Sequence, residues 1–188
     1  MTAACQPGSA SWSLHLTDVP RRVYRTGDMA KKPLDLEREV IEAFSHALEV
    51  TEVLVAAVPD EYWHAPPLQK GRTIAGIVAH VYGLRRTFTK MAKAPVGDAL
   101  PSKTVTKAEA LAALGENRLV LVDLFTGAVL RGEGRIPGMP RRTAMMMAYL
   151  MQHEAHHRGH ITRQLSEYGH KLSGEVTMRI WGWRKLES

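Results

Sequence analysis

Apolar residues recur about every 3.6 positions from Pro33 onward, whereas the first 32 residues show no regular spacing. This period is that of an α-helix with one buried face. Four such segments are predicted, at residues 34–58, 74–92, 106–125 and 140–168. Four amphipathic helices of this length favour an all-α protein, an antiparallel four-helix bundle whose interior can hold a site built from facing helices.

Residue types at the helix ends support these boundaries. Thr73 precedes the second helix, and the spacing from Thr106 to Glu109 in "TKAE" is that of a capping box. Gly169 is expected to end the fourth helix. The loop "PDEYWHAPPLQKGR" is predicted to be free of helix because of its prolines. The only stretch with strand-like alternation is 175–181.

Three segments follow from this pattern. Residues 1–32 combine Pro, Gly and Ser without an apolar face and are predicted to be a disordered extension. Residues 33–170 are the predicted bundle domain, and residues 171–188 are expected to form a tail that packs on or near it. Because a charged, helix-ready segment follows Met29 directly, translation could start at Met1 or at Met29.

The composition adds limits to this picture. With 188 residues, 45% of them hydrophobic, the chain is long enough for one substantial core but short for two. Its single cysteine, Cys5, excludes an intramolecular disulfide and fits a reducing cytoplasm. No apolar run approaches the ~20 residues of a membrane span, and the N-terminus lacks the pattern of a secretory signal. We therefore expect a cytoplasmic protein without a membrane segment.

The net charge of +6 raises the question of nucleic-acid binding. Residues 1–32 hold five basic and two acidic residues, which gives +3, so half of the excess lies outside the predicted bundle. The rest is dispersed, apart from the basic and aromatic cluster "RIWGWRKLES" at the C-terminus. Trp181 and Trp183 in this cluster are expected to cover the edge of a core. Nucleic acid is therefore not an expected partner.

Four of the nine histidines lie within the ten residues "MQHEAHHRGH" of the fourth helix. Since a helix turns about 100° per residue, their directions can be measured against an apolar stripe centred on Leu150. His157 falls at about −20° and His153 at about −60°, so this pair faces inward. His160 at about −80° and His156 at about −120° point further towards solvent.

The second helix carries one histidine on its apolar stripe, His80, about 60° from Ile77. The spacing i, i+4 lets His153 and His157 offer two nitrogen ligands to one ion, and His80 would supply a third. Taken singly, each could instead be a core histidine bonded to a backbone or hydroxyl group. Three imidazoles that face one interior need several partners, and one divalent cation satisfies them together. By contrast, His46 points away from the stripe of the first helix.

The same residues carry a resemblance to a known family. The segment "TIAGIVAHVYGLRR", followed later in the chain by "HEAHHRGHITRQLSEYG", resembles the DinB/YfiT-like superfamily of four-helix bundles. Its members have one histidine on the second helix and an H-x-x-x-H-R-G motif on the fourth. The family's metal ligands then correspond to His80, His153 and His157. Where the family usually has a glutamine after this motif, this chain has His160.

The resemblance implies an up-down-down-up bundle, a homodimer, and a zinc or nickel ion held by the three histidines. It also implies metal-dependent transfer or isomerisation with a low-molecular-weight thiol as co-substrate. A zinc with three histidine ligands keeps an open position, at which water or a thiol becomes a nucleophile. We therefore predict a metal-dependent thiol S-transferase, or else a hydrolase. The alternative is a non-catalytic, metal-stabilised bundle that acts as a stress-response or partner-binding module.

Three further polar side chains are candidates for a role in catalysis. Glu154 lies on the inner half of the fourth helix and could orient a ligand histidine or accept a proton, or else pair with a lysine or arginine. Arg118 could bind an anionic group of a substrate, or extend its stem along the bundle edge. His160 could form a hydrogen bond to a ligand, or only flank the mouth of the site. The sequence leaves the substrate and the metal open, because imidazole suits several ions.

Overall fold

The computed structural model describes residues 33–181, and every regular element within that range is helical, which confirms the predicted all-α class for this part of the chain. The expectations for 1–32, Met29 and Trp183 lie outside the described residues. The helices are α1 (Leu36–Ala56), α2 (Asp60–Trp63), α3 (Ile74–Met91), α4 (Lys107–Leu130), α5 (Thr143–Glu167) and α6 (Gly174–Trp181). Within this range, none has the length and hydropathy needed to cross a membrane.

The four long helices, α1, α3, α4 and α5, occupy the four predicted segments. Thr73 Oγ1 accepts a hydrogen bond from the Gly76 amide at 3.1 Å, and Thr106 and Glu109 form both bonds of a capping box. Gly169, just beyond α5, has a φ of 79°, a left-handed conformation that glycine adopts without strain. The predicted signals for these helix ends are thus confirmed.

Two short helices correct the sequence prediction. α2 forms within the loop that was expected to be free of helix. Pro59 occupies its N-cap position, and Asp60 places negative charge at the helix N-terminus, where it is favourable. The prolines therefore bound this turn without preventing it. α6 covers the stretch 175–181, and its first turn is supported by Ser173 Oγ, which accepts from the Val176 amide at 3.2 Å.

The core consists of two apolar clusters separated by polar side chains. α1 contacts α4, α5 and α6, and α3 contacts α4 and α5. Members of the first cluster include Leu54, Val81, Leu114 and Ile161, and members of the second include Leu48, Phe88, Leu121 and Leu150. In sequence, each long helix has a buried polar residue between its members of the two clusters: Thr51, Arg85, Asn117 and Glu154; α5 also has the buried His157 in this interval. We call these four residues the polar layer.

Two side chains lie differently from the prediction. His46, which by helical phase points away from the stripe of α1, is only 8% exposed. Val50, one turn further on, is buried as well. α1 contacts α6 in addition to α4 and α5, so more than one of its sides is covered. Trp181, expected to cover the edge of a core, is instead 74% exposed at the end of α6.

Candidate metal centre

Three histidines from two helices converge next to the polar layer. His80 lies on α3, and His153 and His157 lie one turn apart on α5. The Nε2 atom of His153 is 3.2 Å from that of His80 and 3.1 Å from that of His157. His157 is buried and the other two are partly buried. We call these side chains the histidine triad; they are the three that helical phase placed on the inner side.

Good hydrogen bonds within the triad cannot account for both short contacts. A ring nitrogen carries either one hydrogen or one lone pair, so Nε2 of His153 can form only one good hydrogen bond. The second contact is then either a weak three-centre hydrogen bond or a contact between like groups. A cation that accepts all three lone pairs removes this conflict.

The separations also fit the ligand sphere of a small divalent ion. Two nitrogen ligands of a tetrahedral zinc, each at ~2.0–2.1 Å, lie ~3.3–3.4 Å apart. The observed separations of 3.1 and 3.2 Å are close to this value. The ligand atoms of His80, His153 and His157 all lie within 4.8 Å of one another. These three residues could therefore bind one metal ion.

The environment keeps the triad neutral. The pKa of His157 is lowered to about 3, chiefly by burial and then by the neighbouring His153 and His80. Burial is also the first cause of the lowered pKa of His153, followed by the charge of His80. For His80, burial lowers the pKa first and Arg72 second. Because imidazole binds a metal through a neutral nitrogen, the triad needs no deprotonation to bind one at neutral pH.

We expect the metal-free protein to lose stability as the pH falls below about 6.5. A histidine in the unfolded chain titrates near 6.5, whereas His157 titrates at about 3 in the folded protein. Between these values the unfolded state binds more protons, so the free energy of unfolding decreases from about pH 6.5 towards pH 3. Urea unfolding at a series of pH values, in the presence of a chelator, measures this slope.

A His157→Gln variant isolates the contribution of this one side chain, because glutamine does not titrate. Its slope should be shallower than that of the unsubstituted chain, while the exposed substitution His156→Gln should leave the slope nearly unchanged. Equal slopes for the His157→Gln variant and the unsubstituted chain would contradict the depressed pKa.

Glu154 lies beside the triad in sequence, but its carboxylate serves a different contact. Its side chain is 1% exposed, and Oε1 accepts from Arg85 Nε at 2.6 Å. Oε2 accepts from Arg85 Nη2 at 2.8 Å and from Thr51 Oγ1 at 2.6 Å. Glu154 thus forms an ion pair with a basic residue, which is one of the alternatives that the sequence left open for it. The Nδ1 atoms of His153 and His157 have no hydrogen-bond partner among the described residues.

Arg85 connects all four long helices. It is 0% exposed and lies on α3. Besides its two bonds to Glu154 on α5, Nη1 donates to the Leu114 carbonyl on α4 at 2.9 Å, and Nη2 donates to the Leu48 carbonyl on α1 at 3.1 Å. Glu52 Oε1 lies 3.6 Å from Nη1. Arg85 therefore positions α3 against α5, the two helices that carry the triad.

Two other arginines join neighbouring helices. Arg118, a candidate for substrate binding, donates from Nε to both oxygens of Glu52 at 3.0 and 3.1 Å. Arg158 donates from Nη1 to the Ala47 carbonyl at 3.0 Å and to Thr51 Oγ1 at 3.1 Å, which links α5 to α1. The Arg118 guanidinium is thus occupied by an ion pair between α4 and α1.

A second histidine group lies on the outer side of α5. The ligand atoms of His156, His157 and His160 lie within 4.8 Å of one another, and His157 belongs to both groups. The rings of His156 and His160, both exposed, have centroids 4.2 Å apart. The His160 ring centroid is 5.4 Å from that of His157. His160 therefore lies next to the triad, and His156, which helical phase placed towards solvent, lies beside it.

Two cavities reach the triad. One of about 540 Å³ extends to His80, and one of about 330 Å³ extends to His157. Both volumes are in the range of small-molecule sites. Arg72 lines both cavities. We refer to them as the larger and the smaller cavity.

The loop at residues 64–73, which borders both cavities, is anchored at each end. Trp63 Nε1, just before the loop, donates to the Val105 carbonyl at 2.8 Å. At the other end, Gln164 Nε2 donates to the Arg72 carbonyl at 3.2 Å. The loop is therefore attached to the segment before α4 and to α5, which fixes the cavity walls relative to the triad.

Arg85 and Arg72 are the residues of this region that the sequence did not single out. Arg85 lies four positions after Val81, one turn along the apolar face of α3, and this spacing was the available signal. Arg72 lies in a loop without periodicity, so its position relative to His80 could not be predicted.

The helices and the triad define a class, the all-helical proteins with a candidate divalent-metal site between two helices. A model of the DinB superfamily matches residues 43–161. This range is more than half of the chain and includes the whole triad, and the chain belongs to the DinB superfamily. Comparison with curated proteins and with solved structures found no significant match.

Proposed function

We propose that the protein is a metal-dependent enzyme in which His80, His153 and His157 hold a divalent ion, zinc or nickel. The proposed chemistry is transfer or isomerisation with a small-molecule thiol, or hydrolysis as the near alternative. The observation that carries this proposal is the convergence of three neutral imidazole nitrogens at a point that two cavities reach. When bound, such an ion would lower the pKa of a thiol or water at its remaining position.

The chain's own residues support this role in two ways. Burial keeps the imidazoles unprotonated, so their lone pairs are available at neutral pH. The bonds from Arg85 to Glu154 hold α3 against α5, and this keeps the nitrogen atoms converged. The cavities would admit a substrate to the same point. A structural metal site, by contrast, would leave no coordination position open to an outside ligand.

The thiol would have to come from a small molecule. Cys5 is the only cysteine of the chain, and it lies outside residues 33–181. Residues 33–181 therefore offer no thiol nucleophile.

The proposal extends to architecture and assembly. α1 and α3 each contact both α4 and α5, which is compatible with the up-down-down-up four-helix bundle that the family resemblance implies. A homodimer in the cytoplasm remains our expectation. Sedimentation of the full-length protein would give its oligomeric state.

A second candidate function is a metal that only stabilises the fold. The observation that favours it is that the triad joins α3 to α5, so an ion would cross-link two helices. In that case the chain would serve as a stress-response or partner-binding module without catalysis.

The two functions differ in whether an outside ligand reaches the metal. The full-length protein, made without a histidine tag and freed of metal, would be loaded with cobalt and titrated with 2-mercaptoethanol or cysteine, and separately with azide. For an enzyme we expect one cobalt per triad and an absorption spectrum that changes on addition of thiol. A His156→Ala, His160→Ala double variant is the matched control, because it removes the outer histidines and retains the triad.

The outcomes separate the candidates. Bound cobalt whose spectrum responds to neither thiol nor azide would refute the enzyme and leave the structural metal. Absence of cobalt binding in the control variant would refute both.

A further inference from the structure

The charged residues around the larger cavity are unevenly distributed. Its lining includes Arg72 and Lys103, and none of the described residues that line it is acidic. The other polar side chains in the lining are His64, Thr73, His80 and Ser102. The cavity therefore combines positive charge with hydroxyl and imidazole groups, which is the chemistry that binds oxyanions.

Arg72 is held in place at the rim while its guanidinium stays available. Its backbone carbonyl accepts from Gln164 Nε2 at 3.2 Å, which attaches this part of the loop to α5. No ion pair joins its side chain to a carboxylate among the described residues, unlike Arg85, Arg118 and Arg163.

Lys103 also lines the larger cavity, and hydrogen bonds hold the backbone of its turn in place. The amides of Thr104 and Val105 both donate to the Pro101 carbonyl, at 3.0 and 2.9 Å. The Val105 carbonyl accepts from the buried Trp63 at 2.8 Å. Lys103, like Arg72, forms no ion pair among the described residues, so two cations on anchored backbone face one cavity.

The lining of the smaller cavity, unlike that of the larger one, includes a carboxylate. Lys70, Arg72 and Arg163 line it together with Glu167, and Arg163 Nε is paired with Glu167 Oε1 at 2.8 Å. Its positive charge is therefore partly compensated. Among the described residues, Lys70 and Arg72 remain without a carboxylate partner there, so each cavity has two unpaired cations, but of the two linings only that of the larger cavity is free of acidic side chains.

We propose that the larger cavity binds a small organic molecule through an oxyanion group, a carboxylate or a phosphate, held between Arg72 and Lys103. The inference rests on the proposed function in one respect, since the bound molecule would be the substrate or the thiol co-substrate. With the anion at these two residues, the remainder of the molecule extends along the cavity to His80. The proposal assigns Arg72 and Lys103 as substrate-binding residues.

The test compares two exposed lysines that line different cavities, Lys103 in the larger and Lys70 in the smaller. Succinate, glycerol 3-phosphate and the neutral analogues succinamide and glycerol would be titrated into the metal-free and the zinc-loaded full-length protein, with NMR chemical shifts as the readout. The variants are Arg72→Gln, Lys103→Gln and Lys70→Gln. All three side chains are exposed, so these substitutions leave the core intact.

We expect the anions to bind and the neutral analogues not to bind. Lys103→Gln and Arg72→Gln should each raise the dissociation constant about tenfold, and Lys70→Gln should change it less than twofold. The anion that binds more tightly identifies the group as carboxylate or phosphate. Equal effects of Lys103→Gln and Lys70→Gln, equal binding of succinamide and succinate, or no binding of either anion would each overturn the proposal.

The metal-free arm keeps this inference separate from the proposed function. Anion binding without zinc binding would refute the metal-dependent enzyme and retain the anion site. Zinc binding at the triad without anion binding would refute the anion site and leave the enzyme proposal in place.

Discussion

Replacing Glu154 with leucine is expected to lower the free energy of unfolding by about 3–5 kcal/mol. The substitution removes the carboxylate that accepts two hydrogen bonds from Arg85, whose side chain is fully buried. A buried charge without its partner is among the most costly defects in a protein core. Urea unfolding of the full-length protein, followed by far-UV circular dichroism, measures the change.

Two controls show whether the effect arises from the charge. The double variant Arg85→Met, Glu154→Leu removes both charges, and it should recover most of the lost stability because apolar residues of similar volume replace the pair. Glu167→Leu breaks the more exposed pair with Arg163 and should cost at most about 1 kcal/mol. If Glu154→Leu cost no more than Glu167→Leu, the ion pair would not organise the core.

Replacing His80 with alanine is expected to weaken zinc binding by a factor of about 100 or more. Loss of a residue that only orients a ligand already costs about 10–100-fold, and His80 would be a ligand itself. It is also the only triad member on α3, so the variant leaves the site without its link between the two helices. Competition with a chromophoric zinc chelator gives the affinity.

The outer histidines provide the matched control for this experiment. The double variant His156→Ala, His160→Ala removes two imidazoles from the same region, one more than His80→Ala, but keeps the triad. Its zinc affinity should stay within about threefold of the unsubstituted chain. If it lost more affinity than His80→Ala, the ion would bind to the exposed group that shares His157, and the assignment of the triad would be wrong.

The triad could be located from the sequence because helical periodicity determines direction. Once Leu150 and Ile77 define the inner sides of two helices, the directions of His153, His157 and His80 follow from the turn per residue. The helix starts at Thr73 and Thr106 could likewise be predicted, because each depends on hydrogen bonds between residues within four positions of one another. The family resemblance led to the same three histidines.

Contacts between distant segments could not be predicted in this way. The partner of Glu154 is Arg85, 69 positions away, and helical phase gives no pairing between two helices. The Arg72 position depends on a loop attached to α5 rather than on any repeat. His46 was misplaced because a single stripe was assumed for α1, whereas this helix contacts three others.

The division of the core by the polar layer has a consequence for the register of the helices. Apolar side chains can find new apolar partners after a slide, but a slide of α3 by one turn, about 5.4 Å, would carry Arg85 away from Glu154 and into an apolar cluster. The Nε2 atoms of the histidine triad are separated by 3.1 and 3.2 Å only when α3 and α5 keep this alignment. Apolar substitutions elsewhere in the core that leave Arg85 and Glu154 in place should therefore preserve the distances between the histidines.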